Sequence, residues 1–153
     1  NLPVTTDFTI FEVSKINQVN DIVFGWYRSN AAIVIGSGAA GFITASVSDG
    51  TNTITATTSG HLNGLPHISI LKKHNKRIDL EYYDYANSVT ATDNDSSFDN
   101  TFAFNTAPFN VGSYNGGRYL EGQLNELIIF NRALSDTEIA EVRGYLNLKY
   151  KIY

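Results

Sequence analysis

Short apolar segments rich in Ile, Val, Thr, Phe and Tyr recur from Phe8 to about Phe130, separated by clusters of Gly, Asn, Asp and Ser. Alternation with period two sends successive side chains to opposite faces, which is the signature of half-buried strands. The pattern predicts strands over Phe8–Ser14, Asp21–Tyr27, Ala31–Ile35, Phe42–Ser48, Thr53–Thr57, His67–Lys72, Arg77–Tyr83, Ser88–Thr92, Thr101–Phe104, Asn110–Gly112 and Gln123–Phe130. Asp49-Gly50 is a two-residue hairpin signal, because both residues tolerate positive φ. Asn63-Gly64 and Asn115-Gly116 mark further turns or loops by the same reasoning.

The period changes only near the carboxy end. Ser135-Asp136-Thr137-Glu138 forms a capping box, in which Ser135 and Glu138 satisfy each other's orphan amides. Behind it Ile139, Val142, Leu146 and Tyr150 fall on one helical stripe, with Glu141, Arg143 and Lys149 off it. The expected fold is therefore an all-β sandwich with one C-terminal α-helix that packs against the sheets. No internal repeat, low-complexity tract or linker interrupts the pattern.

Composition narrows the function. A chain of 153 residues, 42% hydrophobic, fits one domain spanning 1–153 with a core that needs no disulfide or metal. There is no Cys, which excludes thiolate zinc sites and cysteine nucleophiles. The net charge is -4 and no basic run exceeds Lys72-Lys73, which argues against nucleic acid and anionic membrane surfaces as partners. No apolar run approaches the roughly 20 residues of a membrane-spanning helix, so no membrane insertion is expected. Met is absent too, so the chain is expected to be a processed or excised piece of a longer product.

Several motifs resolve into structural features. Gly36-Ser37-Gly38-Ala39-Ala40-Gly41 matches the dinucleotide-binding pattern, but that chemistry needs a helix next and an acid about 20 residues on. A β-branched alternating segment, Phe42–Val47, follows instead, which makes the glycines a hairpin loop. His61, His67 and His74 match no metal-ligand spacing and are expected to be dispersed. No Gly-x-Ser-x-Gly elbow is present. Asp79 and Glu81 share a strand face, the only local carboxylate pair that glycoside hydrolysis could use, and nothing beside them suggests a raised pKa. Asp93, Asp95 and Asp99 lie in a run of oxygen ligands, 93–100, of the kind Ca²⁺ prefers, although Phe98 stands where the helix-loop-helix calcium motif needs Gly. Asn94-Asp95-Ser96 also reads as a glycosylation sequon.

Aromatics carry the remaining signal. Sugars present apolar C–H faces beside hydroxyls, so a glycan site combines flat rings with amide, carboxylate or guanidinium groups. Trp26-Tyr27-Arg28, Tyr82-Tyr83-Asp84-Tyr85 and Tyr114–Tyr119 each supply that mixture at a turn or strand end. Alternation with Ile78 and Leu80 sends Tyr82 into the core. The expected glycan contacts are Tyr114, Arg118 and Tyr119 first, then Tyr83, Asp84 and Tyr85.

Gly122-Gln123-Leu124-Asn125-Glu126-Leu127-Ile128-Ile129-Phe130-Asn131-Arg132-Ala133-Leu134-Ser135-Asp136-Thr137-Glu138-Ile139 resembles the closing strand and helix start of the laminin-G-like, concanavalin-A-like lectin and glucanase superfamily. His67–Ile70 followed by Arg77–Tyr82 is similar to its central hairpin, and Asn110-Val111-Gly112 to the strand before its last loop. The resemblance implies a jelly-roll β-sandwich of two antiparallel sheets. That family usually opens with a strand ahead of the one at Phe8–Ser14, but only Asn1–Asp7 precede it here, so that strand is expected either upstream or replaced by other pairing. In the closing segment Glu126 and Arg132 are expected to pair, and the helix to cover a sheet edge. Glucanases of this fold share a Glu-x-Asp-x-x-Glu strand, which Glu81-Tyr82-Tyr83-Asp84 does not reproduce, so the resemblance carries no catalytic residues over. It points to a non-catalytic carbohydrate-binding module of a larger protein, extracellular or on a cell or virion surface, with a glycan or polysaccharide as partner. The alternatives are an architectural domain of a virion or adhesin that packs on other subunits, and a polysaccharide lyase or glycosidase.

Overall fold

The computed structural model describes residues 6–28, 31–38, 41–59, 64–99, 109–114 and 118–153. It contains β1 (Phe8–Ile16), β2 (Ile22–Arg28), β3 (Ala31–Ser37), β4 (Ile43–Asp49), β5 (Thr53–Thr57), β6 (His67–His74), β7 (Arg77–Tyr83), β8 (Ser88–Asn94), β9 (Phe109–Val111), β10 (Ser113–Tyr114), β11 (Arg118–Tyr119), β12 (Gly122–Phe130) and α1 (Asp136–Tyr150). Two five-stranded antiparallel sheets, β12-β1-β6-β7-β8 and β5-β4-β3-β2-β9, face each other as a jelly-roll sandwich. The expected strand at Thr101–Phe104 lies outside the described residues. The segment read as a turn around Asn115-Gly116 is flanked by the short ribbon β10-β11.

Period two sorts the side chains. In β7 Ile78, Leu80 and Tyr82 enter the space between the sheets, while Asp79, Glu81 and Tyr83 face outward. In β5 Ile54 and Ala56 face in and three Thr face out, with the Thr55 and Thr57 hydroxyls bonded to Ser46 and Thr44 of β4. Strand β1 breaks the alternation, because nearly every residue is buried. Its Phe8 and Ile10 belong to the core between the sheets, and its Phe11 and Val13 to a second core beneath α1.

Helix α1 covers the outer face of the first sheet, not an edge, and buries Ile139 and Leu146 against Phe11, Val13, Ile68 and Ile70. Each fully buried aliphatic contributes about 1.5–3 kcal/mol. The capping box forms as expected. Arg132 makes a bidentate pair with Glu138 (2.9 and 2.5 Å), and Lys149 donates to Glu126 (3.0 Å), so the anticipated Glu126–Arg132 pair is replaced by two others. Both new partners, Glu138 and Lys149, are supplied by the helix.

The glycine motif is structural. A Cβ at Gly36 would stand 2.3 Å from the Asp21 carbonyl oxygen, and Gly41 has φ 77, so close backbone approach and a left-handed turn account for two of its glycines. Ala39 and Ala40 lie outside the described residues.

At the next hairpin the tight turn centres on Gly50-Thr51, one residue later than expected, with the Asp49 amide donating to Asn52 O (3.1 Å). The Asp49 carboxylate accepts from the amides of Thr51, Asn52 and Asp99 at 2.6–2.8 Å. Burial pushes its pKa up, but these donors prevail and hold it at about 2. A carboxyl depressed on folding stabilises the protein above its unfolded value of about 3.9, and that stabilisation is lost as pH falls toward about 2. Asp49→Asn is expected to lower stability at neutral pH by about 1 kcal/mol after solvent screening. It should also flatten the acid limb of a stability profile measured by urea unfolding between about pH 6 and about pH 2. An unchanged acid limb would contradict this account.

Candidate functional site

The β7–β8 turn is built by one carboxylate. Asp84 accepts from the amides of Ala86 (2.7 Å) and Asn87 (2.6 Å) and from the Asn87 side chain, while the Tyr82 hydroxyl donates to it at 2.8 Å. This is an Asx turn tied to a core tyrosine. Asp84 is 2% exposed. Burial raises its pKa, but the Ala86 amide, the Tyr82 hydroxyl and Asn87 together lower it further. Asp84, the one expected glycan contact that is buried among the described residues, lines the cleft with its oxygens committed to the turn, and so shapes the site from below.

That turn presents Tyr85 outward, 81% exposed. Beside it Tyr83, on the outer face of β7, lies under the Arg143 guanidinium, whose carbon is 4.4 Å from the ring centre. Arg143 Nη1 donates to the Tyr83 hydroxyl, which donates to Glu81 at 2.6 Å, and Nη1 is 3.7 Å from Glu81. Burial and the Glu81 carboxylate push the Tyr83 phenol up to about 12, against the opposing pull of Arg143. Asp79 pairs with Arg77 at 2.7 Å. Both members of the one local carboxylate pair that hydrolysis could use thus lie beside cations of the same chain.

The third wall is the carboxy-terminal tail. Lys151 closes α1 in a left-handed conformation, and Asn147 Oδ1 accepts from the amides of Ile152 (3.1 Å) and Tyr153 (2.9 Å). Ile152 is buried beneath the helix, so Tyr153 folds back until its ring is 5.8 Å from that of Tyr83, tilted by 34°. The result is an open cleft of about 330 Å³ lined by Tyr83, Tyr85, Asn87, Ser88, Arg143 and Tyr153 among others. It lies at the small end of the roughly 300–1,000 Å³ of small-molecule sites. Three aromatic rings, a guanidinium, an amide and a hydroxyl meet there.

Two wall residues escaped sequence reasoning. Arg143 reads as the polar side of a surface helix and Tyr153 as a terminal residue, and no local pattern joins either to β7. Glu12 also escaped it, although a charge in the core-facing register of Phe8 and Ile10 is a readable anomaly. It is fully buried, its oxygens have no hydrogen-bond partner, and His67 Nε2 is 3.4 Å away.

The other expected sites are not assembled in this way. Arg118 and Tyr119 are exposed on the ribbon, Tyr119 at 65%. Arg118 borders a smaller hollow of about 160 Å³ with Val34, Ser37, Thr44 and Ser46. The side chains of Tyr114, Tyr27 and Arg28 lie outside the described residues.

In the acidic loop Asp93 accepts from the Thr55 amide of β5 at 2.8 Å and Asp95 from the Ser97 amide at 2.7 Å, while Phe98 is anchored in the core. Asp93, Asp95 and Asp99 consequently do not converge. Among the described residues no three His, Asp or Glu side chains are grouped to hold a metal ion. His67 contacts Ser14 at 3.1 Å and His74 contacts Asp7 at 3.2 Å, whereas His61 and Asn100 lie outside the described residues.

No protein-family model matches the sequence, and no curated protein is a significant sequence match. Solved structures do match in fold. Mouse laminin α1 chain domains LG4-5 superpose with a TM-score of 0.63 at 20% identity, covering 87% of this chain and 41% of that one. The Ruminococcus gnavus IT-sialidase CBM40 bound to α2,3 sialyllactose gives 0.67 at 20% identity, covering 91% and 83%. The enzymatically active domain of bacteriophage CBA120 tailspike protein 2 gives 0.67 at 11% identity, covering 95% and 25%. The chain thus spans less than half the length of the laminin fragment it matches. It has the laminin-G-like, concanavalin-A-like jelly-roll fold.

If Asp84 builds the cleft, removing it should cost stability while removing the exposed ring should not. Asp84→Ala is expected to destabilise the domain by about 2–4 kcal/mol, since it strands the Tyr82 hydroxyl and two turn amides. Tyr85→Ala should stay within about 0.5 kcal/mol of the parent. Thermal unfolding of the two variants checks this, and equal losses would refute the assignment.

Proposed function

We propose that this domain is a non-catalytic, lectin-like module that binds carbohydrate in the cleft between the β7–β8 turn and the end of α1. The observation that carries the reading is the meeting of Tyr83, Tyr85 and Tyr153 with Arg143 and Asn87 in one open hollow. Aromatic faces take the C–H side of a pyranose, and guanidinium and amide groups take its hydroxyls. The jelly-roll neighbours supply context, since the R. gnavus module is bound to sialyllactose. A fold hosts many functions, however, so the residues of the cleft bear the weight. An open hollow of this size gives weak single-site binding that repeated copies strengthen by avidity. A place in a larger extracellular, cell-surface or virion-surface protein fits that mode of action.

A packing role in an assembly is the second reading. It is favoured by Leu148 and Tyr145, 82% and 51% exposed on the solvent side of α1.

A glycan-array screen of the purified domain, with Ca²⁺ and with chelator, tests the first reading. Binding is expected in both buffers. Tyr85→Ala and Tyr153→Ala should each weaken it by about tenfold, or roughly 1.4 kcal/mol. Arg118→Ala and Tyr119→Ala should leave it unchanged. The reverse pattern would move the site to the β10-β11 ribbon, and loss on chelation would return attention to the 93–100 loop. No binding in either buffer would favour the packing role.

A further inference from the structure

Resting on the carbohydrate reading of the cleft, the geometry points to Glu81 as the residue that sets the charge class of its ligand: by matching Arg143, it makes the cleft a site for neutral rather than anionic sugars. Recognition of a sugar carboxylate or sulfate relies on a guanidinium whose charge is unmatched and whose fork is free for two parallel hydrogen bonds. Among the described residues Arg143 is the only cationic side chain lining the cleft, and it is not free in that sense. One arm of its fork, Nη1, is committed to the Tyr83 hydroxyl and lies 3.7 Å from Glu81, and its central carbon lies 4.4 Å from the Tyr83 ring centre.

The surrounding charges reinforce this. Asp84 forms part of the cleft floor and Glu81 stands behind Tyr83 and Arg143, so the one positive side chain that a ligand meets is flanked by two carboxylates, on a chain whose net charge is -4. An anionic ligand would have to compete with Glu81 for the guanidinium and approach Asp84 at the same time. A neutral pyranose does neither, because it needs only the exposed aromatic faces and hydrogen-bonding groups. Glu81 is not among the residues lining the cleft, so it acts through Tyr83 and Arg143 as a positioning residue. The carboxylate that the sequence offers as half of a hydrolytic pair thereby becomes a specificity determinant.

The test compares neutral oligosaccharides with their sialylated counterparts, including lactose and α2,3-sialyllactose, on the purified chain at about 50 mM and about 500 mM salt, where screening differs severalfold. Wild type is expected to bind neutral members, to gain nothing from sialylation, and to change affinity less than about twofold between the two salts. Glu81→Gln keeps an acceptor for the Tyr83 hydroxyl but removes the charge. Its ratio of affinities for sialylated over neutral members should rise about fivefold or more at low salt and fall back at high salt. A wild-type preference of about tenfold for sialylated ligands at low salt would overturn the inference, as would an unmoved charge preference in a folded Glu81→Gln variant. The wild-type salt comparison stands by itself if the variant does not fold. Anionic preference that remains sensitive to Tyr85→Ala would sink this inference and leave the carbohydrate reading intact. No glycan bound by either protein would sink both.

Discussion

Strand β1 is buried on both faces, and the rest of the architecture follows from that constraint. A strand open to water on one side needs only one apolar set, whereas β1 must place Phe8 and Ile10 between the sheets and Phe11 and Val13 beneath α1. The second set requires a cover, which the capped helix provides. Thr9 fixes its approach, donating to Arg132 O at 3.1 Å and accepting from the Leu134 amide at 2.9 Å. Helix docking then determines where Arg143 and the tail that follows α1 come to rest. The cleft of Tyr83, Arg143 and Tyr153 is thus a consequence of how β1 is covered.

The cleft walls are anchored in the core. Tyr82 fills the space between the sheets, yet its hydroxyl ends on Asp84, so the turn that carries Tyr85 is moored to packed interior. Burial and the neighbouring carboxylates Asp84 and Glu12 push the Tyr82 phenol pKa up, keeping it a hydrogen-bond donor. Tyr153 is moored in turn by Asn147 and by Ile152 beneath it. A wall built this way loses little conformational entropy when it meets a ligand, which matters for a hollow that buries little area.

Charge distinguishes this cleft from a generic aromatic patch. The same Arg–Tyr–Glu chain that rigidifies the wall also matches the guanidinium, so mechanical and electrostatic roles fall on one set of atoms. The acidic loop shows a related economy. Asp93 ties β8 to β5 across the open side of the sandwich, and Asp49 holds its own turn to the Asp99 amide. Carboxylates that look like ligands in the sequence serve as backbone acceptors in the fold.

What the sequence determined by itself was everything set by short-range physics. Period-two alternation in β4, β5 and β7, the Ser135–Glu138 capping box and the inward course of Tyr82 all depend on neighbours within a few residues. Tyr83 and Tyr85 were legible as site candidates because exposure near a turn is a local property. The remainder depended on which distant surfaces pack together. Arg143 reaches Tyr83 across 60 residues of chain, and Glu126 finds Lys149 rather than Arg132. Only the docking of α1 on the first sheet decided those pairings, since no pattern along the chain encodes the distance between a helix side and a strand face that meet only after folding.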